Sequence, residues 1–93
     1  MLHVNEYFEG NVKSIGCSNS VGELTVGVMA VGEYSFATSK KEFMTVVSGT
    51  LEVTLPGEET SRVISKNEEF IVAANEKFLV KVPETTIYTC RYE

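Results

Sequence analysis

Short runs of β-branched and aromatic residues, separated by turn residues at intervals of about ten positions, constrain the fold of this chain more than any other feature. The runs are NVKSIGC, ELTVGVMAVGEYSFAT, EFMTVVSGTLEVTLP, SRVISK, EEFIVAAN, KFLVKV and TIYTCRY. Turn residues that supply a positive or a fixed φ angle separate several runs, namely Gly22, Gly32, Gly49 and Pro56-Gly57. No stretch keeps the apolar period of a helix. The pattern predicts an all-β sandwich or barrel of antiparallel strands with little or no helix.

Alternation within the runs predicts which side chains face the core. In KFLVKV, Phe78, Val80 and Val82 share one face, which we expect to point inward. In TIYTCRY, Tyr88 and Arg91 fall on opposite faces of the strand. The run FMTVV is apolar on both faces, so its outer face needs a cover, and a second subunit is the simplest one. We therefore predict a homodimer.

Composition excludes several classes of partner. Ninety-three residues suffice for one core, so we predict one domain over residues 1–93. The formal net charge of −5 disfavours nucleic acid as a partner. No apolar run is long enough to span a bilayer, and the N-terminal segment does not have the pattern of a signal peptide. We expect a cytoplasmic protein without a membrane partner, in which Cys17 and Cys90 are reduced, packed side chains.

The segment GEYSFATSKKEFMTVVSG resembles the first sequence motif of the cupins. Glu42 precedes Gly49 by seven positions, as in that motif, but Phe36 and Thr38 stand where the motif has histidines. In NEEFIVAANEKF, which corresponds to the second motif, Phe78 replaces the third histidine. A single carboxylate is too few ligands for the metal of a cupin dioxygenase or isomerase. We therefore expect no metal.

Several separated blocks carry a broader resemblance that runs from end to end: NEYFEGNVKSIG, VGVMAVGEYSFAT, MTVVSGTLEV, the positions of Phe70 and Phe78, and the closing YTCRY. In these blocks the chain resembles the small cupin-fold pyrimidine/purine nucleoside phosphorylase family. It departs from the family at Ala73 and Ala74, where a Pro-Gly turn is more usual. The resemblance implies a single cupin-type, jelly-roll β-barrel.

The resemblance also implies an activity. A broad-specificity nucleoside phosphorylase converts a nucleoside and phosphate to a free base and α-D-ribose 1-phosphate, with inorganic phosphate as co-substrate and no cofactor. The alternative is a non-catalytic cupin that binds a nucleoside or sugar, because no residue is unmistakably catalytic. Base release that requires phosphate distinguishes the two.

Glu42 is the candidate catalytic residue. Strand parity places it on the same face as Phe36, Thr38 and Met44, at the mouth of the expected barrel. There it can accept hydrogen bonds from ribose hydroxyls and stabilise a sugar that becomes positively charged. Alternatively, it is a buried structural carboxylate that is paired with Arg91 or Lys13.

The remaining candidates are substrate-binding residues. Phe36, Phe78 and Tyr88 can form a slot in which any base stacks, although aromatic residues in so small a protein can also be core alone. Met44 shares the face of Glu42, and Thr38 can bind a ribose or phosphate oxygen or cap a turn.

Phosphate needs a cation or backbone N–H donors. The planar guanidinium of Arg91 matches phosphate oxygens, but its parity is opposite to that of Tyr88. If the Tyr88 face lines the pocket, Lys13 or backbone N–H groups must bind the anion. Lys40 and Lys41 stand in a loop from which they can steer phosphate, or they can be solvated surface charges.

Overall fold

The computed structural model describes residues 2–93, whose regular structure is almost entirely β-strand. A single-turn 3-10 helix covers Phe8–Gly10, and no helix of residues 2–93 is long and apolar enough to cross a membrane. The strands are β1 His3–Tyr7, β2 Val12–Asn19, β3 Gly22–Met29, β4 Gly32–Ala37, β5 Glu42–Ser48, β6 Leu51–Thr54, β7 Arg62–Ile64, β8 Glu69–Val72, β9 Lys77–Val82 and β10 Thr86–Tyr92. The all-β prediction is confirmed.

The strands form two antiparallel sheets that pack face to face. The larger sheet has the order β1-β2-β3-β10-β5-β8, and the smaller one β4-β9-β6-β7. The predicted closed barrel is wrong, because among residues 2–93 no strand of one sheet pairs with a strand of the other. The chain passes from one sheet to the other after β3, β4, β5, β7, β8 and β9, so the architecture is a sandwich.

Gly49 makes the corner after β5 possible. Its φ angle is +103°, and a Cβ added there would lie 2.4 Å from the Oγ1 atom of Thr86. That hydroxyl accepts a hydrogen bond from the Thr50 N–H at 3.1 Å and lies 3.0 Å from the Thr50 carbonyl oxygen. A residue without a side chain is therefore needed where β5 leaves the larger sheet.

The core lies between the two sheets. Phe78, Val80 and Val82 are at most 2% exposed, which confirms that this face of β9 points inward. On the larger sheet, Tyr88 and Cys90 point into the same core, whereas Ile87 is exposed on the other side. The alternation read from the sequence thus gives the orientation of both strands correctly.

The outer side of the larger sheet is apolar and exposed. Five neighbouring strands carry exposed apolar side chains there that are each between 39% and 49% exposed, namely Ile15, Val26, Val28, Val47, Ile71 and Ile87, and Val4 of β1, the cross-strand partner of Ile15, is 72% exposed. We call this surface the outer apolar face. Val47 belongs to the run FMTVV, so the second apolar face of β5 that the sequence indicates is present.

Candidate functional site

A cavity opens between the sheets at the end where β5 begins and β10 ends. Its inner chamber has a volume of about 130 Å³. A wider vestibule of about 740 Å³ lies outside it and is lined largely by β1, β2 and β3. The chamber and the vestibule share Tyr7, Ala37, Glu42 and Tyr92 as lining residues, so the two spaces are continuous. This end of the sandwich is therefore open to a ligand.

The structure brings together five of the seven site residues predicted from the sequence. All five line the inner chamber: Phe36, Glu42, Met44, Phe78 and Tyr88. Phe36 and Phe78 are stacked, with ring centroids 5.6 Å apart and an interplanar angle of 27°. The chamber thus combines an aromatic wall with one carboxyl group.

Thr38 lies elsewhere. Its hydroxyl donates a hydrogen bond to the Ala73 carbonyl oxygen at 2.6 Å and accepts one from the Glu76 N–H at 3.0 Å. The side chain is buried, and it ties the β4–β5 loop to the β8–β9 loop. These contacts give Thr38 a structural position, and it is not among the residues that line the inner chamber.

Arg91 also lies apart from the chamber. Its guanidinium stands over the Phe43 ring, 4.0 Å from the centroid, and forms an ion pair with Glu93. The expected opposite parity of Arg91 and Tyr88 is confirmed by the register of β10 against β3. The guanidinium is therefore on the outer side of the sheet, whereas Glu42 faces the chamber between the sheets.

The other candidate cations differ in position. Lys13 pairs with Glu6 at 3.3 Å, and Lys41 lies over the Phe43 ring. Lys40 is a vestibule residue, and its Nζ atom is 2.8 Å from a carboxylate oxygen of Glu23. Of the four cations considered, Lys40 is the one that lines the cavity.

Glu42 projects into the chamber from the first position of β5. Burial raises the pKa of its carboxyl group, and a hydrogen bond from the Cys90 thiol, 3.7 Å from Oε1, opposes that rise. Among residues 2–93 no Lys or Arg forms a salt bridge with it, so the structural ion pair with Arg91 or Lys13 is not observed. The carboxyl group is half-buried, and a ligand can use it.

The chamber also contains hydroxyl and thiol groups that the sequence prediction did not include: Tyr7, Ser14, Cys90 and Tyr92. Burial raises the pKa of Cys90 to about 12 and also raises that of Tyr92, whose hydroxyl lies 3.2 Å from Thr25 Oγ1. Cys90 and Tyr92 therefore keep their protons and are neutral hydrogen-bond donors at ordinary pH. The alternation in TIYTCRY already placed Cys90 and Tyr92 on the face of Tyr88, and that signal was available in the sequence.

Glycine at position 27 allows Tyr88 to lie against the sheet. Gly27 is the cross-strand neighbour of Tyr88, and a Cβ added to it would lie 2.6 Å from the tyrosine ring. Burial raises the pKa of Tyr88 to about 12, so its hydroxyl keeps its proton. No group of three His, Cys, Asp or Glu side chains able to hold a metal ion occurs among residues 2–93.

The two facing antiparallel sheets with a cavity at one open end have a cupin-like fold. The solved structure of an RMLC-like cupin from Shewanella frigidimarina has this fold, with a TM-score of 0.74 and 18% sequence identity, and the match covers 96% of this chain and 80% of that one. A protein of unknown function from Vibrio parahaemolyticus is more similar. Its crystal structure gives a TM-score of 0.96 at 41% identity and covers 100% of this chain and 99% of that one.

The sequence comparisons specify the family. The family model for pyrimidine/purine nucleoside phosphorylase matches residues 2–92. A protein of that name from Pseudoalteromonas atlantica is 53% identical over 92 residues, which are 99% of each chain. This chain belongs to the pyrimidine/purine nucleoside phosphorylase family, as the resemblance in the sequence predicted.

Proposed function

We propose that this chain is a broad-specificity nucleoside phosphorylase that converts a nucleoside and phosphate to a free base and α-D-ribose 1-phosphate. The observation that carries the proposal is the 53% identity, over nearly the full length, to a relative named for this activity. The open cavity with its aromatic wall and single carboxyl group supports it.

The reaction suits a site of this composition. The bond between the anomeric carbon and the base breaks, a phosphate oxygen bonds to that carbon, and the sugar carries positive charge in between. We assign to Glu42 the stabilisation of that charge and the acceptance of ribose hydrogen bonds. Its half-buried position strengthens the electrostatic interaction, because water screens it less than it would screen an exposed carboxylate.

The aromatic wall suits the base. We assign base stacking to Phe36 and Phe78, with Met44 beside them. Every nucleobase has a π-face, so a stacking site tolerates purines and pyrimidines alike.

Phosphate enters through the vestibule in this proposal. Lys40 is the candidate cation nearest to its path, and Glu23 must release it first. Arg91 and Thr38, also predicted to bind substrate, have less favourable positions, since Arg91 lies on the outer side of β10 and Thr38 is engaged by two loop backbones. No cofactor takes part, so we expect a chelator to leave the rate unchanged.

We infer a homodimer that is formed through the outer apolar face. Exposed apolar side chains on five neighbouring strands are unusual for a monomer, and pairing with a second copy would remove them from water. Light scattering during size-exclusion chromatography should give twice the mass of one chain. Val28→Lys should give the single-chain mass, whereas Leu79→Lys, at an exposed position on the smaller sheet, should not.

The proposal also places the enzyme in the cytoplasm. Cys17 and Cys90 are both free thiols, which suits a reducing compartment.

Incubation of the pure protein with uridine or adenosine, with and without phosphate, tests the activity. We expect free base and ribose 1-phosphate only when phosphate is present. Nucleoside binding without base release in either condition would contradict the proposal and favour the non-catalytic binding module. Base release without phosphate would indicate a hydrolase.

A further inference from the structure

Four residues on the inner side of the larger sheet form one cross-strand row. Asn5 of β1 pairs with Ser14 of β2, Ser14 pairs with Gly27 of β3, and Gly27 pairs with Tyr88 of β10. Because Gly27 has no side chain, the tyrosine ring occupies the space above it. The ring therefore lies along the row towards Ser14.

Asn5 is hydrogen-bonded to Ser14, and the Tyr88 hydroxyl extends towards them along the row. The Asn5 amide Nδ2 donates to Ser14 Oγ at 3.4 Å, and Ser14 is only 4% exposed. The Tyr88 hydroxyl oxygen lies over Gly27, 2.6 Å from the position of an added Cβ, and Ser14 is the next residue of the row beyond Gly27. Burial raises the pKa of Tyr88, and the Ser14 hydroxyl opposes this rise.

The hydrogen bond between Asn5 and Ser14 has a direction. Ser14 Oγ accepts from Asn5, so the Ser14 hydrogen can point along the row towards the Tyr88 hydroxyl, which lies over Gly27. Ser14 then does not have to accept a hydrogen bond from the Tyr88 hydroxyl, and Tyr88 can donate its hydrogen to a ligand. Tyr88 lines the inner chamber together with Phe36 and Phe78, the residues to which we assign the base.

We propose that Tyr88 donates a hydrogen bond to the departing base, and that Asn5 and Ser14 are positioning residues that direct its hydrogen. The inference rests on the proposed phosphorolysis and assigns to this site the step of leaving-group stabilisation.

The chemistry balances without proton transfer from the phenol. When the bond from the anomeric carbon to the base nitrogen breaks, its electron pair remains on the base, and negative charge spreads to the exocyclic carbonyl oxygens or to the ring nitrogens. Tyr88 hydrogen-bonds one of these atoms and keeps its own proton. A phosphate oxygen bonds to the anomeric carbon, and the proton of hydrogen phosphate ends on the base through solvent.

A single neutral donor also explains loose base selectivity. Pyrimidines and purines share few features, but each accumulates negative charge on an acceptor atom as it departs. A donor that acts on this charge is useful for any base, whereas a site with several fixed donors and acceptors would select one of them.

Substrates with different leaving groups test the proposal. In uridine, 5-fluorouridine and 5-nitrouridine the base becomes progressively more acidic, so it needs less help to depart. For Tyr88→Phe we expect kcat with uridine to fall about 100-fold, the scale seen when one such donor is removed. With 5-fluorouridine the loss should be smaller, and with 5-nitrouridine it should be at most about tenfold.

Tyr34→Phe is the matched control. Tyr34 is also a buried tyrosine, but its hydroxyl donates to the Ala30 carbonyl oxygen at 2.7 Å and does not line the inner chamber. This variant should show the same rate ratio on all three substrates.

Ser14→Ala tests the positioning role. Without the serine the Tyr88 hydrogen is no longer directed, so we expect kcat with uridine to fall about tenfold, again less with the nitro compound, at an unchanged KM. Ser14→Thr keeps the hydroxyl and should restore the rate.

The failure of this inference is distinguishable from failure of the proposed function. If the wild-type protein releases no base from any of the three nucleosides with phosphate, the proposed function is wrong, and this inference falls with it. If the wild-type protein is active but Tyr88→Phe loses the same factor on all three substrates, or loses none, then Tyr88 does not stabilise the leaving base and the inference alone is overturned.

Discussion

The two ends of the sandwich use polar groups in opposite ways. At the end opposite the cavity, where β5 ends and β10 begins and which we call the closed end, the Thr86 hydroxyl is fully buried and makes hydrogen bonds with Thr50 and Glu84. At the open end, Glu42 and Tyr92 face the cavity from the same pair of strands, β5 and β10. The comparison shows that one strand pair can supply fixed structure at one end and ligand-accessible groups at the other.

Hydrogen bonding of polar side chains is complete in the buried interior of the part of the chain that the structure describes. Every buried side-chain nitrogen or oxygen among residues 2–93 has a hydrogen-bond partner. At the open end, Glu42 has a weak thiol donor as its partner and is only half-buried. Weak pairing leaves its carboxyl group available to a substrate. Substitutions at the open end should therefore affect activity, and those at the closed end stability.

The largest effect should come from Glu42→Gln. The amide keeps the shape of the side chain but carries no negative charge, so it cannot stabilise the sugar cation. We expect kcat/KM with uridine to fall about 1000-fold, equivalent to about 4 kcal/mol, while the circular dichroism spectrum remains that of the wild type. Wild-type rates in this variant would show that Glu42 is not catalytic.

Gly27→Ala should disturb the open end through packing. The new methyl group would lie 2.6 Å from the Tyr88 ring, so the ring must move. We expect overpacking to lower the free energy of unfolding by up to about 3 kcal/mol, and the displaced ring to lower kcat. Urea denaturation measures the first effect. Gly22→Ala is a control, since no atom lies within 4 Å of its added Cβ, although its positive φ angle carries a strain of its own.

Thr86→Val should act only at the closed end. The substitution preserves the shape and removes a hydroxyl that bonds to the Thr50 N–H. An unpaired buried donor costs about 2 kcal/mol, so the urea midpoint should fall at unchanged kcat/KM. A loss of activity that exceeds the fraction of unfolded protein would break the distinction between the two ends.

The smallest effect concerns pH and stability. Burial raises the pKa of Glu42 in the folded protein above its value in the unfolded chain. At a pH between these two pKa values the folded protein binds more protons than the unfolded chain does. The free energy of unfolding therefore falls as the pH rises through this window. Above the folded pKa the ionised carboxyl destabilises the fold. Glu42→Gln should therefore have a higher melting temperature than the wild type at pH 7, and the difference should disappear below the unfolded pKa. A lower melting temperature at pH 7 would contradict this sign.

Local patterns explain which features the sequence predicted. The alternation in KFLVKV and TIYTCRY gave the inward faces of β9 and β10, because strand parity needs only neighbouring residues. The resemblance predicted the family, and strand parity placed Glu42 at the cavity. Phe36, Met44, Phe78 and Tyr88 also reach the chamber as parity suggested.

The remaining features depend on contacts between distant residues. The choice between a barrel and a sandwich depends on which strands pair beyond the corner at Gly49, and no local pattern encodes that pairing. Thr38 lies outside the chamber because its hydroxyl bonds to a loop 35 to 38 positions later in the sequence. Asn5 and Ser14 join Tyr88 only through the register of three strand pairs, so their place in the site becomes visible only in the folded chain.

The small size of the inner chamber determines how a nucleoside must lie. A cavity of about 150 Å³ holds one benzene ring, and the chamber, at about 130 Å³, has room for one ring, so the second ring of a purine must reach into the vestibule with which the chamber is continuous. The sugar must then remain outside, beside Glu42 at the threshold of the vestibule. Extensions from the 5′ carbon should therefore meet open space.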